Sequence, residues 1–361
     1  MKPITFSERR RFSELLKTES QETVMAMIPQ FSESETGTYA DRSPFFSSDP
    51  ETDGFGAMVF NIERGVNFRE TVDFLKFCPE IRPFDIILAN ELDDGCVRSG
   101  GRMVAREIAQ ELGMNYVYGL EFVELANPED PKGFHGNAIF TCFPVLWSET
   151  LRLPEENNWY FDRQTRIGGR CAVFARLKIG SREIGVVSMH LENRTDGAGR
   201  RRQLDAVICE TERVFAGIPV LMGGDLNTNT FDGRSVPAIE FLSAHPDLLR
   251  SQMAQIEDYE PCLSDAARAG FDWRAASSVR VTDGAPYTDA KGTRRKKLPD
   301  GTDMLLRLDW LMPKGLTAGS GRTVSTLTKD CGFAPPESAL AQFPKKELSD
   351  HNAVWARFRF A

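Results

Sequence analysis

The chain has 361 residues, of which 41% are hydrophobic and 27% charged, a soluble globular composition with room for one large domain or two ordinary ones. Its net charge of −8 lacks the bulk basic surface that gripping long duplex DNA calls for, because neutralised phosphates supply most of that affinity. No run is long and apolar enough to span a bilayer, and the opening MKPITFSERRRFSELLK lacks the apolar core of a secretory signal.

Residues 1–55 read as an N-terminal helix and a polar extension. FSERRRFSELLKTESQETVMAMI predicts one helix, with Ser7 as its cap and Phe12, Leu15 and Leu16 on a common face. The next stretch, PQFSESETGTYADRSPFFSSDPETDG, is rich in Ser, Pro, Asp and Gly and predicts loop.

From residue 56 to 361 strands alternate with helices. The strand-like runs are GAMVFNIE, FDIILANEL, GNAIFTCFPVL, RCAVFARLKI, REIGVVSMHLE, IPVLMGGDLN, LRLDWLMP and AVWARFRF, with Gly180-Ser181 as a two-residue hairpin turn. NFRETVDFLKFC, SGGRMVAREIAQELG and GAGRRRQLDAVICETERVFAG predict helices. Residues 251–305 form the least regular part, a substrate-side insertion with a polar, basic centre. Hairpins mixed with strand–helix units imply an α/β fold of mixed sheets covered by helices. The seven cysteines are odd in number and form no C-x-x-C pair, so they read as small buried hydrophobes of a reducing compartment, the cytoplasm.

Polar residues collect where these strands end. Asn61 and Glu63 close one run and Asn90 and Glu91 another; His190 ends a third, and Asp225 and Asn227 a fourth. Asp309 interrupts an apolar run, and Asp350 and His351 precede the last strand. Singly, an Asn here reads as a turn residue, a Glu as a solvated charge and a His as a hydrogen-bonded core residue. Asp309 is harder to dismiss, because a buried carboxylate needs a partner. Taken together, hard oxygen donors at strand ends suit Mg²⁺ or Mn²⁺, and two histidines suit proton transfer.

In the order ANE, GNAIFTCFPV, MHLE, GGDLN, RLDWL and LSDHNAV, these motifs resemble the endonuclease/exonuclease/phosphatase superfamily over residues 56–361. The resemblance implies a pancreatic-DNase-like, four-layer sandwich of two packed mixed β-sheets flanked by helices. It implies Mg²⁺ or Mn²⁺ held by Glu91, with Asn61, Glu63 and Asp350 close by. His351 would act beside the phosphorus with Asp309 as its partner, while His190, Asp225 and Asn227 would surround the phosphoryl group. Asp225 competes with His351 as the base; a carboxylate close to a metal has a lowered pKa, which favours His351.

His135 and Arg170 are further candidates for touching substrate, each with a structural alternative. His245 reads as a helix-end surface residue, Trp273 and Trp310 as packing, and Arg294–Lys297 as a solvated loop. The expected activity is hydrolysis of a phosphodiester or phosphomonoester in a small-molecule or lipid-like substrate. Alternatives are an endo- or exonuclease with the same centre, and a catalytically silent binding protein.

Overall fold

The computed structural model describes residues 1–40, 53–162, 164–277, 293–297, 303–319 and 321–361. Thr5, not Ser7, starts the first helix, α1 (Phe6–Leu15). Its hydroxyl accepts the Glu8 N–H while the Glu8 carboxylate accepts the Thr5 N–H, a closed capping box. The single expected helix is in fact two, since Ser20 accepts the Thr23 N–H and caps α2 (Gln21–Met25). Where loop was expected, Ser34–Gly37 forms strand β1.

Strand β2 (Phe55–Arg64), helix α3 (Phe68–Phe77), strand β3 (Ile86–Asp94) and helix α4 (Val104–Leu112) come next. Strands β4 (Asn115–Glu124), β5 (Phe134–Thr141), β6 (Val145–Arg152), β7 (Arg166–Gly168), β8 (Cys171–Ile179) and β9 (Arg182–His190) follow in series. After α5 (Gly197–Val214) and β10 (Val220–Asp225) stand α6 (Val236–Ala244), α7 (Pro246–Ala254), α8 (Ile256–Tyr259), α9 (Pro261–Arg268) and α10 (Trp273–Ala276). Strands β11 (Arg294–Lys297), β12 (Asp303–Leu306), β13 (Asp309–Lys314), β14 (Leu316–Ala318), β15 (Arg322–Val324) and β16 (Ala353–Phe360) complete the chain. The stretch expected to be irregular is therefore helical from residue 251 to 276, apart from short links; most of its basic centre lies outside the described residues.

Two mixed sheets result. The larger runs β1-β4-β5-β3-β2-β16-β14, with β7 on β4 and β15 on β16, and among the described residues only β2 and β3 pair in parallel there. The smaller runs β13-β10-β9-β8-β6, with β9 and β10 parallel. Val59, Leu88 and Ile139 of the first sheet meet Val173, Val186 and Leu221 of the second in a dry interlayer. Outside the first sheet, Val72 and Leu75 of α3 and Ile108 and Leu112 of α4 pack on Phe60, Ile87 and Phe140. Outside the second, Leu204 and Val207 of α5 and Leu263 of α9 pack on Phe174, Met222 and Trp310. This is the four-layer sandwich the resemblance implies.

The N-terminal helices cover the β4 side of the first sheet. Phe12, Leu16, Val24, Ile28 and Phe31 are buried against Leu120, Val123, Phe134 and Ile167, and β1 pairs antiparallel with β4. Among the described residues no helix is long and apolar enough to cross a membrane. Six cysteines are buried as expected, and Cys209 is exposed.

Candidate active site

Strand register gathers the candidate residues at one end of the sandwich. Asp225 ends β10 directly opposite His190 of β9 on one side and Asp309 of β13 on the other, so the three stand abreast. The glycine pair before Asp225 permits this. A Cβ on Gly224, whose φ is 144°, would lie 1.8 Å from the Met189 carbonyl oxygen. In the facing sheet, Asn61 of β2 pairs with Asn90 of β3, and a register shift after them turns Glu63 and Glu91 outward.

Asp225 is the hub. Its Oδ2 accepts the Asn61 amide at 3.0 Å and its Oδ1 accepts the Asn227 N–H at 3.0 Å. The same oxygen Oδ2 lies 3.6 Å from His190 Nε2 and 3.7 Å from His351 Nε2. Each imidazole has its other nitrogen on a buried carboxylate. His351 Nδ1 is 2.8 Å from Asp309 Oδ2, and His190 Nδ1 is 3.2 Å from Glu121 Oε2. Donation from Nδ1 to Asp309 fixes the His351 ring and leaves its Nε2 facing Asp225, whereas Arg170 Nη1 lies 2.9 Å from both ring nitrogens of His190.

The charges are unevenly satisfied. Burial alone would lower the His351 pKa, but Asp309, then Asp225 and Asp350, outweigh it and push it up to about 9. Burial, together with Asp309, raises the Asp225 pKa despite His351, His190 and Asn61. Burial and Asp350 likewise raise Glu63. Glu91 goes the other way. Burial would raise it, yet Arg64 and three histidines hold it well below the usual carboxylate range. Its carboxylate accepts from the Asn61 amide at 3.3 Å and remains 21% exposed. Asn61 thus links Glu91 to Asp225 through its nitrogen, while its oxygen accepts the Glu63 N–H at 3.0 Å.

Backbone strain is concentrated in the same place. Among the described residues, the non-glycine positions with left-handed φ are Glu63 (50°), Arg64 (66°), Glu91 (57°), Asn227 (50°) and Thr230 (69°). All stand in the site or in the loop leaving it, where such outliers cluster in functional centres.

A cleft of about 660 Å³ opens beside this cluster, and Glu63, Asn227, Asp350 and Arg294 are among its polar lining residues. Asp350 is ion-paired there with Arg294 at 2.7 Å. The expected solvated loop 294–297 is instead strand β11, and Arg295 is buried on Glu347 at 2.8 Å and on Asn352 at 2.7 Å. The pairing with Glu347 and Asn352 explains why Arg295 leaves solvent, while Arg294 stays about a third exposed; the side chains of Lys296 and Lys297 lie outside the described residues.

Arg170 and His135 sit behind His190 and do not line the cleft. Arg170 donates to Glu121 at 2.8 Å and Glu192 at 3.1 Å, and its Nη1 lies 2.9 Å from His190 Nε2. His135 Nδ1 meets Asp93 at 2.9 Å, and Arg98 grips Asp93 with two hydrogen bonds. Asn227 spends one amide hydrogen on the Leu191 carbonyl at 2.9 Å. His245 ends α6 on the surface, and Trp273 packs edge-on to Trp310 in the core, as expected.

Glu121 is a member of this cluster that the sequence reading missed. It is fully buried in β4 between His190, Arg170 and Asn137, and although burial opposes it, His190 and Arg170 hold its pKa far below normal. The signal was present: an acidic residue inside the apolar run YGLEFV, the same anomaly that flags Asp309 in LRLDWL.

No family model and no curated protein matches the sequence. Solved structures do match the fold. The catalytic domain of human Nocturnin, solved with a bound sulfate anion, superposes with a TM-score of 0.55 at 16% identity, over 92% of this chain and 98% of that one. An endonuclease/exonuclease/phosphatase protein from Beutenbergia cavernae superposes at 0.51 and 15% identity, over 85% of this chain and 72% of that one. The chain therefore has the fold of the endonuclease/exonuclease/phosphatase proteins.

Proposed function

We propose that the chain is a divalent-metal-dependent phosphoric ester hydrolase of that superfamily, adding water in line to a phosphate ester. One observation carries the reading: a single carboxylate oxygen, Asp225 Oδ2, lies between two imidazoles that are each held by a buried carboxylate, next to an ionised Glu91. Such an arrangement has little use in a binding protein, and it suits proton transfer beside a charged phosphoryl group.

The residues fit Mg²⁺ or Mn²⁺. Five carboxylates, Glu63, Glu91, Asp225, Asp309 and Asp350, crowd the site, and those on Glu63 and Asp225 are pushed up by burial and by like-charge neighbours. That pattern marks a site short of positive charge. Glu91 is the principal ligand in this reading because its pKa is held low and its carboxylate keeps some exposure; Asp350 and Glu63 stand near it, and Asn61 orients it. A bound cation neutralises charge on the phosphoryl oxygens and offsets the carboxylates around His351.

His351 Nε2, with Nδ1 tethered to Asp309, takes the proton of the attacking water. His190 presents its Nε2 to the phosphoryl oxygens, and Asn227 lies beside it. The net charge of −8 supports a small-molecule or lipid-like ester over nucleic acid.

The test is a parallel assay, with Mg²⁺ and with EDTA, on bis-p-nitrophenyl phosphate, p-nitrophenyl phosphate, plasmid DNA and phospholipid. Turnover of a small or lipid ester that EDTA abolishes is expected. Metal-dependent plasmid nicking that far outpaces the other substrates overturns the substrate class, and equal rates in EDTA overturn the metal.

A further inference from the structure

The described residues lining the cleft include Arg194, Arg294 and Arg295, and these are not equivalent. Arg194 spends its guanidinium on Asp162 at 2.9 Å and on the Gly233 carbonyl at 2.9 Å. Arg295 is buried on Glu347, Asn352, Thr326 and the Ser349 carbonyl. Arg294 is 34% exposed, and its ion-pair partner Asp350 is 29% exposed. A pair so open to water adds little to stability, so the fold alone does not account for it.

The backbone is anchored on both sides of Arg294. The Thr293 hydroxyl accepts the Leu308 N–H at 3.0 Å and the Asp309 N–H at 3.1 Å, and the Thr293 carbonyl accepts the Asn352 N–H at 2.6 Å. The Arg295 N–H donates to the Asp350 carbonyl at 3.2 Å. Between these anchors, an antiparallel bridge sets Arg294 directly across from His351. Residues paired in that way share a face, with Cβ atoms about 5 Å apart. The Arg294 guanidinium lies 2.7 Å from Asp350 Oδ2, and Asp350 Oδ1 lies 3.8 Å from His351 Nε2. A flexible cation is thereby tethered one carboxylate away from the nitrogen that handles the water proton.

We propose that Arg294 binds an oxygen of the phosphate ester and competes with the divalent cation for Asp350, so that metal binding turns the guanidinium toward the substrate. The proposal rests on the phosphoesterase reading and adds a residue to it. Asp350 serves the two cations in turn, which accounts for a solvent-accessible arginine fixed opposite the reacting histidine. A planar guanidinium also matches phosphoryl oxygens well.

Arg294→Gln and Arg294→Lys provide the experiment. Mn²⁺ affinity is read by calorimetry without substrate, and kcat/KM is read at saturating Mg²⁺. The ester is p-nitrophenyl phosphate or bis-p-nitrophenyl phosphate, whichever the wild type hydrolyses faster. Arg294→Gln should bind Mn²⁺ about fivefold more tightly, the screened worth of one charge at such a distance. It should nevertheless lose about 10²-fold in kcat/KM, as removal of a charge-stabilising donor does. Arg294→Lys, which keeps the charge, should bind Mn²⁺ as the wild type does and recover much of the lost rate. Should the glutamine variant not fold, Arg294→Met reads the same two quantities. Wild-type kcat/KM in the folded neutral variant, or Mn²⁺ binding that is unchanged or weaker, overturns the proposal and leaves metal-dependent ester hydrolysis standing. Absence of metal-dependent turnover by the wild type on either ester overturns both.

Discussion

At the scale of single residues, the two imidazole–carboxylate pairs around Asp225 separate orientation from reaction. Asp309→Asn keeps the shape at His351 but removes the charge that most strongly raises its pKa. Activity should fall about 10²–10⁴-fold, the usual worth of a positioned general base, and the rising limb of the pH profile should move to lower pH. An unmoved limb would shift the role of base to Asp225. Stability carries a second signature. Because the His351 pKa is raised from 6.5 to about 9, protonation favours the folded chain; the contribution is complete below pH 6.5 and disappears as pH rises through 9. Metal-free protein should therefore melt at progressively lower temperature across that window, and His351→Gln should lack this component. An undiminished slope in the variant would contradict the raised value. Most of these residues were legible because they end strands recognisable by their apolar runs. Glu121 escaped because β4, NYVYGLEFVE, is buried along nearly its whole length and shows no alternation to mark it as a strand.

At the scale of elements, the loop leaving β10 depends on a contact between helices. Arg200 of α5 makes two hydrogen bonds to Glu260, which lies between α8 and α9, and both side chains are fully buried. Removing one partner of such a pair strands the other charge, so Glu260→Ala should cost about 3–5 kcal/mol in urea unfolding. A loss below about 1 kcal/mol would mean that the pair does not hold the loop. The helices that supply Glu260 and Ile239 were not legible, and the reason is local chemistry. Pro237, Pro246 and Pro261 stand in the first turns of α6, α7 and α9, where a missing N–H costs nothing. Read from sequence alone, the same prolines look like breaks.

Across the whole molecule, the residues alone implied mixed sheets covered by helices, and the two packed sheets were implied only by the family resemblance that the motif order carries. The contribution of the first forty residues was not implied. Their helices bury Phe12 and Phe31 against Leu120 and Val123 of β4, the strand that carries Glu121. Phe31→Ala should destabilise the protein by about 3–5 kcal/mol in guanidinium unfolding, as deletion of a buried aromatic generally does. A change within about 0.5 kcal/mol, as for a surface position, would mean that this layer is not part of the cooperative unit.

The left-handed backbone at Glu63, Arg64, Glu91 and Thr230 sets durability against chemistry. Each such residue forgoes about 1–2 kcal/mol that a glycine there would recover. Directed evolution for heat tolerance alone should drift toward Glu63→Gly and Glu91→Gly, yielding hardier proteins that no longer turn over ester. A library selected only by melting temperature, then sequenced, would reveal that pull.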